Sequence, residues 1–97
     1  MKPTASVNGA FIPEFAAKVR LKFDRHAKKY MLIYPERGLE LNESAATIAL
    51  KCDGTRAIDM IVDEIIGEHV GAVRETVKRD VVEFVTELRN RGLLTRA

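Results

Sequence analysis

The 97 residues, 46% hydrophobic and 31% charged, suffice for one domain with a single modest core and exclude a disordered chain. No apolar run approaches the roughly 18 residues of a membrane span, and the start of the chain lacks the apolar centre of a secretion signal. A lone cysteine, Cys52, excludes an internal disulfide framework and fits a cytoplasmic setting. The net charge of +2 hides an asymmetry: residues 1–41 carry eight Lys and Arg against four acids, and residues 42–97 carry eight against ten. A basic first half suits an acidic peptide or protein partner better than a DNA backbone.

In chain order, residues 1–15 show no sustained period and contain Pro3, Gly9 and Pro13. They read as a flexible arm ahead of a single domain at 16–97, anchored by Phe11, Ile12 and Phe15. Val19, Leu21 and Phe23 then alternate with Lys18, Arg20, Lys22 and Asp24, the pattern of an amphipathic strand. Tyr30-Met31-Leu32-Ile33-Tyr34 is apolar on both faces and is expected as the middle, well-covered strand. Pro35-Glu36-Arg37-Gly38 supplies turn chemistry. Leu39-Glu40-Leu41 follows as the third strand of an antiparallel meander, which leaves it at an edge unless the arm or the C-terminus covers it.

Asn42 is placed to cap a helix, with Glu43 at its positive end. Ala45, Ile48, Ala49 and Cys52 share one face of that helix, and Asp53-Gly54 is expected to close it. A second helix is predicted over 57–66, capped by Thr55, with Ile58, Ile61, Val62, Ile65 and Ile66 as its apolar stripe. Gly67 and Gly71 bracket a break. A third helix is predicted over 72–91, with Val73, Val77, Val81, Phe84, Val85 and Leu88 along one face and mixed charge on the other. Gly92 stops it, and Leu93-Leu94 folds back on the core. The fold class is α+β, winged helix-turn-helix-like: a three-stranded antiparallel sheet followed by three helices.

Chemistry is sparse along this chain. His26 and His69 are far apart in sequence and lack a further ligand at metal spacing; Glu64, Glu68 and His69 read as solvated helical groups. Cys52 on an apolar helix face reads as a small buried hydrophobe. There is no glycine-rich phosphate loop and no paired carboxylates, so neither an enzyme nor a bound metal or cofactor is expected. A winged helix could read a DNA groove, but the second helix exposes Asp59, Asp63 and Glu64, and the third alternates sign. Nucleic acid is therefore not the expected partner. An open edge strand beside a helix face can instead take an extended peptide by strand addition. Leu39, Leu41, Val77, Val81 and Phe84 serve equally well as core, and the stripe alone does not choose.

The ordered segments Val19-Arg20-Leu21-Lys22-Phe23-Asp24, Pro35-Glu36-Arg37, Leu41-Asn42-Glu43-Ser44-Ala45-Ala46, Cys52-Asp53-Gly54 and Arg91-Gly92-Leu93-Leu94 resemble the PqqD family of pyrroloquinoline quinone biosynthesis. The likeness spans about residues 15–95. It implies a non-catalytic peptide chaperone that binds the precursor peptide PqqA and presents it to the radical S-adenosylmethionine enzyme PqqE. The iron–sulfur cluster and S-adenosylmethionine would belong to that enzyme. It also implies that the peptide pairs with the third strand, here Gly38, Leu39, Glu40, Leu41 and Asn42. The peptide would then lie against the third helix at Arg74, Val77, Lys78, Val81 and Val85. Arg74, Lys78 and Arg37 are expected to attract acidic residues of the peptide. The basic outer face of the first strand (Lys18, Arg20, Lys22) is expected, on charge, to meet the enzyme. A recognition domain of another modified-peptide pathway and a winged-helix DNA binder are the alternative readings.

Overall fold

The structure, a computed structural model, describes residues 7–35 and 37–97. Asn42 is its pivot. The backbone there is extended, and the side-chain Oδ1 accepts the Ala45 N–H at 2.8 Å, so the chain turns from strand into helix without a loop. Before the pivot lie β2 (Arg20–Asp24), β3 (Lys29–Tyr34) and β4 (Arg37–Leu41), an antiparallel sheet in the order β2-β3-β4. After it come α1 (Glu43–Ala49), α2 (Ile58–Glu68) and α3 (Arg74–Asn90). The expected sheet and three helices are therefore present.

Side chains alternate across each strand, and the register aligns Leu21, Leu32 and Leu39 on one face. That face lies on the core, where Leu32 and Leu41 are buried and Leu21, Tyr30 and Leu39 pack around them. The helices complete the core with Ile48, Ile58, Ile61, Val62, Val81, Val85 and Leu88. α1 packs on both β4 and α3, and α2 packs along α3.

Several expectations need correction. The segment from Val7 to Phe15 is not a loose arm. Val7 and Phe11 are buried, and β1 (Pro13–Phe15) pairs antiparallel with a C-terminal strand, β5 (Leu94–Arg96). The arm as expected at residues 1–6 lies outside the described residues. β3 is the middle strand, as expected, and is better covered than β2 or β4, although its outer face leaves Ile33 38% exposed. α1 stops at Ala49, short of Asp53-Gly54. Gly54 does adopt positive φ (84°), but there it turns its N–H onto the Pro13 carbonyl at 3.0 Å.

Thr55 does not cap α2. The N-cap is Ala57, which offers no side-chain acceptor, and the N–H groups of Ile58 and Asp59 donate instead to the carbonyls of Phe11 (2.9 Å) and Gly9 (3.0 Å). Backbone nearly fifty positions upstream thus satisfies orphan donors that a local side chain ordinarily takes. Thr55 is held by Asp53, whose carboxylate accepts from the Thr55 backbone and hydroxyl. Val73, expected in the stripe of α3, is its exposed N-cap. Gly92 ends α3 as expected, with φ of 77° and the Leu93 N–H reaching back to the Leu88 carbonyl at 2.9 Å.

Ion pairs pin the α1–α2 connection. Lys51 meets Glu68 at 2.9 Å and Glu64 at 3.3 Å; Arg56 meets Glu64 at 2.9 Å and Asp53 at 3.0 Å. The hydrogen bond from Thr55, aided by Arg56, holds the Asp53 carboxyl below its ordinary value. At Glu64, partial desolvation pushes the other way, yet hydrogen bonds from Arg56 and Lys51 prevail and the value is lowered. A lowered folded-state pKa stabilises above the unfolded value and loses that contribution as pH falls through the folded one. Urea midpoints should therefore hold steady from neutral pH until the unfolded values of 4.5 and 3.8 are approached, then fall. In Glu64→Gln the fall should be shallower; an unchanged acid limb would show that this network is not formed in solution.

Candidate functional site

β4 pairs with β3 along one side, and among the described residues nothing pairs with its other side. Its open edge is a row of alternately outward-facing N–H and C=O groups. The chain then passes through Asn42 directly into α1, so the helix begins two residues past the end of that edge. Between α1 and α3 runs a groove of about 300 Å³. Ile48, Ile65, Val77 and Val81 give it an apolar lining, while Glu43, Ser44, Thr47 and Asp80 stand at its rim. His69 and Ala72, from the α2–α3 connection, close the far end. An open backbone edge and an apolar groove can together bind an extended chain: the edge supplies directional hydrogen bonds, the groove a seat for side chains.

The residues expected at the site divide into groups. Val77, partly buried, and Val81, fully buried, line the groove. Val85 is fully buried beneath the same face of α3 and belongs to the core. Leu39 and Leu41 turn onto the inner face of the sheet, and Leu41 is buried there. Gly38 and Glu40 turn outward, where Glu40 pairs with Lys29 at 3.1 Å. Arg37 is exposed and makes no ion pair among the described residues. Arg74 and Lys78 are brought elsewhere, because both engage α2: Arg74 pairs with Asp63, and Lys78 with Asp59 at 3.2 Å. They tie α3 to α2, and the charged groups at the groove's rim are the carboxylates of Glu43 and Asp80.

Sequence reasoning missed the α1 wall. Glu43, Ser44 and Thr47 fall at helical spacing opposite the buried Ala46 and Ala49, and that polar strip is the signal that was available.

Cys52 lies just past α1, 1% exposed, with its thiol donating to the Ile48 carbonyl at 3.3 Å. Burial pushes the thiol up to about 12, with Asp53 adding to the shift and Arg56 opposing it. Such a group stays protonated and unreactive at neutral pH. Iodoacetamide at pH 8 should leave Cys52 unmodified in the native protein and alkylate it fully in urea, read by intact mass; rapid native labelling would contradict this burial. Among the described residues no cluster of three or more His, Cys, Asp or Glu is placed to hold a metal ion. No helix among them is long and apolar enough to cross a membrane.

A small mixed fold with an open sheet edge and a flanking helical groove defines a class of recognition domain. The family described as "Coenzyme PQQ synthesis protein D (PqqD)" matches residues 29–94. A "PqqA binding protein" from Xanthomonas oryzae pv. oryzae (strain PXO99A) is 37% identical over 82 residues, covering 84% of this chain and 88% of that protein. The solution NMR structure of the PqqD truncation of Methylobacterium extorquens PqqCD, described as a stand-alone RiPP recognition element, is 29% identical with a TM-score of 0.79. The match covers 99% of this chain and all of that one (100%). TbiB1 in complex with the TbiA(beta) leader peptide is 26% identical with a TM-score of 0.69, covering 84% of this chain and 93% of the other. The chain belongs to the PqqD family, whose members are recognition proteins and not enzymes.

Proposed function

We propose that this chain is an adaptor of pyrroloquinoline quinone biosynthesis. In this reading it binds the ribosomally made precursor peptide PqqA by strand addition to β4 and presents it to the radical S-adenosylmethionine enzyme PqqE. The observations that carry the reading are the open edge of β4 and the groove between α1 and α3, whose α1 wall begins at Glu43, two residues past the end of β4. Main-chain groups of residues 37–42 supply the ladder, and apolar peptide side chains enter the groove over Val77 and Val81. The name of the Xanthomonas relative supports PqqA as the peptide. The leader-peptide complex of TbiB1 supports leader capture by a domain of this shape, and it favours a second reading in which the guest comes from another modified-peptide pathway.

An NMR titration of the labelled protein with PqqA tests the proposal. The largest shift changes should fall at residues 37–42, at Ser44 and Thr47, and at Val77, with new cross-peaks between β4 and the peptide backbone. Saturable binding whose shifts cluster on another surface would remove strand addition. Absence of binding to PqqA, with binding to a different leader peptide, would select the second reading.

A further inference from the structure

We infer that the groove between α1 and α3 selects a basic residue of the guest peptide. Its apolar floor seats the guest's apolar side chains and the aliphatic stem of one Lys or Arg, and its rim binds the charged head of that residue. The inference rests on the adaptor reading and deepens it, because it fixes a chemical property of the guest on which strand addition alone is silent.

The carboxylates of the three helices fall into two sets. Asp59, Asp63, Glu64, Glu68 and Glu87 are each held by a Lys or Arg of the same fold. Glu43, Glu75, Asp80 and Glu83 make no ion pair among the described residues. Of these four, Glu43 and Asp80 stand on the two walls of the groove, one on α1 and one on α3. No Lys or Arg lines it: Arg74 and Lys78 are turned to Asp63 and Asp59 on α2, and Arg79 is not among the lining residues. A chain with a net charge of +2 thus keeps a negative spot in its peptide groove.

A hydroxyl on the α1 wall points the same way. Thr47 Oγ1 donates its proton to the Glu43 carbonyl at 3.0 Å, so toward a guest it has only lone pairs to offer. Together with the two carboxylates it makes a rim of acceptors. Lys and Arg heads are donors with no acceptor of their own, and their stems lie along apolar surface while the head stays at its edge. Ile48, Ile65, Val77 and Val81 give such a stem its surface. A Leu or Phe at the rim would strip water from two unpaired carboxylates and return no hydrogen bond. An Asp, Glu or phosphate would meet like charge and acceptors only. A metal ion is a poor match as well, since no cluster of three or more His, Cys, Asp or Glu among the described residues is placed to hold one.

The experiment titrates the full chain with PqqA and with PqqA peptides in which each Lys is replaced in turn by norleucine and each Arg by citrulline. These replacements remove the charge and keep the stem. Asp80 is exposed, so Asp80→Asn and Asp80→Lys are expected to fold, which circular dichroism verifies. Glu43→Gln is the second variant, read against its own thermal midpoint because a negative charge in the first turn supports α1. Asp80→Lys should weaken PqqA binding at least about tenfold, and Asp80→Asn by less. Wild-type affinity should fall as salt rises, with a flatter slope in Asp80→Asn. Neutralising one particular base of PqqA should weaken binding to the wild type and cause no further loss in Asp80→Lys, the coupling expected of two groups in contact. Unchanged affinity in both Asp80→Lys and Glu43→Gln overturns the inference and leaves strand addition standing. So does tighter binding by Asp80→Lys, or a full set of neutralised peptides that bind like PqqA. Saturable Ca²⁺ binding that Asp80→Asn abolishes overturns it in favour of a metal occupant. Failure of the wild type to bind PqqA at all sinks the adaptor reading itself and the inference with it.

Discussion

Phe11→Ala should destabilise this domain by about 3–5 kcal/mol, the cost of emptying a buried aromatic site in a core that only partly collapses. Phe11 lies in the segment that its sequence marks as a loose arm, yet its side chain is 5% exposed. The Arg89 guanidinium stacks 5.0 Å from the ring centroid, which ties the segment to α3. The Phe11 carbonyl also receives the first N–H of α2 at 2.9 Å. A domain of this size has roughly 5–15 kcal/mol in total, so the variant should sit near the limit of folding. Its thermal midpoint should drop by roughly 15–25 °C. Urea denaturation and calorimetry would measure both quantities. A loss below about 1 kcal/mol would mean that residues 7–12 are undocked in solution, and α2 would then need another cap. The ring is not among the groove-lining residues, so the folded fraction should bind peptide with near-normal affinity.

The second large effect concerns binding. Ser44→Trp, on the exposed wall of α1, should fill the groove and cut PqqA affinity about 100-fold, or roughly 2.7 kcal/mol. Ser44 is exposed and its side chain makes no hydrogen bond among the described residues, so stability should shift by no more than about 0.5 kcal/mol. Val77→Glu should weaken binding comparably by placing charge on the apolar lining, at some cost in stability because Val77 is half-buried. Arg74→Glu with Lys78→Glu makes the contrast. Both side chains pair with α2, so their reversal should lower stability by up to about 1 kcal/mol per pair and leave peptide affinity unchanged. Isothermal titration of all three proteins separates the roles. Should the double reversal abolish binding while Ser44→Trp does nothing, the guest lies along the α2 side of α3, and the groove against α1 is the wrong seat.

The legible parts of this structure are those whose cause is local. Alternation in β2 and the turn chemistry before Gly38 are readable within a few residues. So is the Asn42 cap: each depends on neighbours no more than four positions away. The stripes of α2 and α3 appear for the same reason, since a helix face is a matter of spacing. What escaped depends on meetings between distant parts. Whether Thr55 or a carbonyl from residues 9–11 caps α2 is decided by where the N-terminal segment docks, and nothing near Thr55 records that. Pro13–Phe15 is too short to show a period, and it becomes a strand only because Leu94–Arg96 arrives beside it. The candidate site splits along the same line. Val77 and Val81 could be found from the stripe, whereas Arg74 and Lys78 acquire their role from carboxylates eleven and nineteen positions earlier on α2.

The ribbon of β1 and β5 has a topological consequence. Pro13 faces Arg96, and the Ala97 N–H donates to the Ile12 carbonyl at 2.9 Å, so the last residues of the described chain clasp the segment whose carbonyls cap α2. Removing Leu94–Arg96 would therefore take away the partner of β1 and loosen the hold of residues 9–11 on the second helix, a coupling between the two extremes of the described chain.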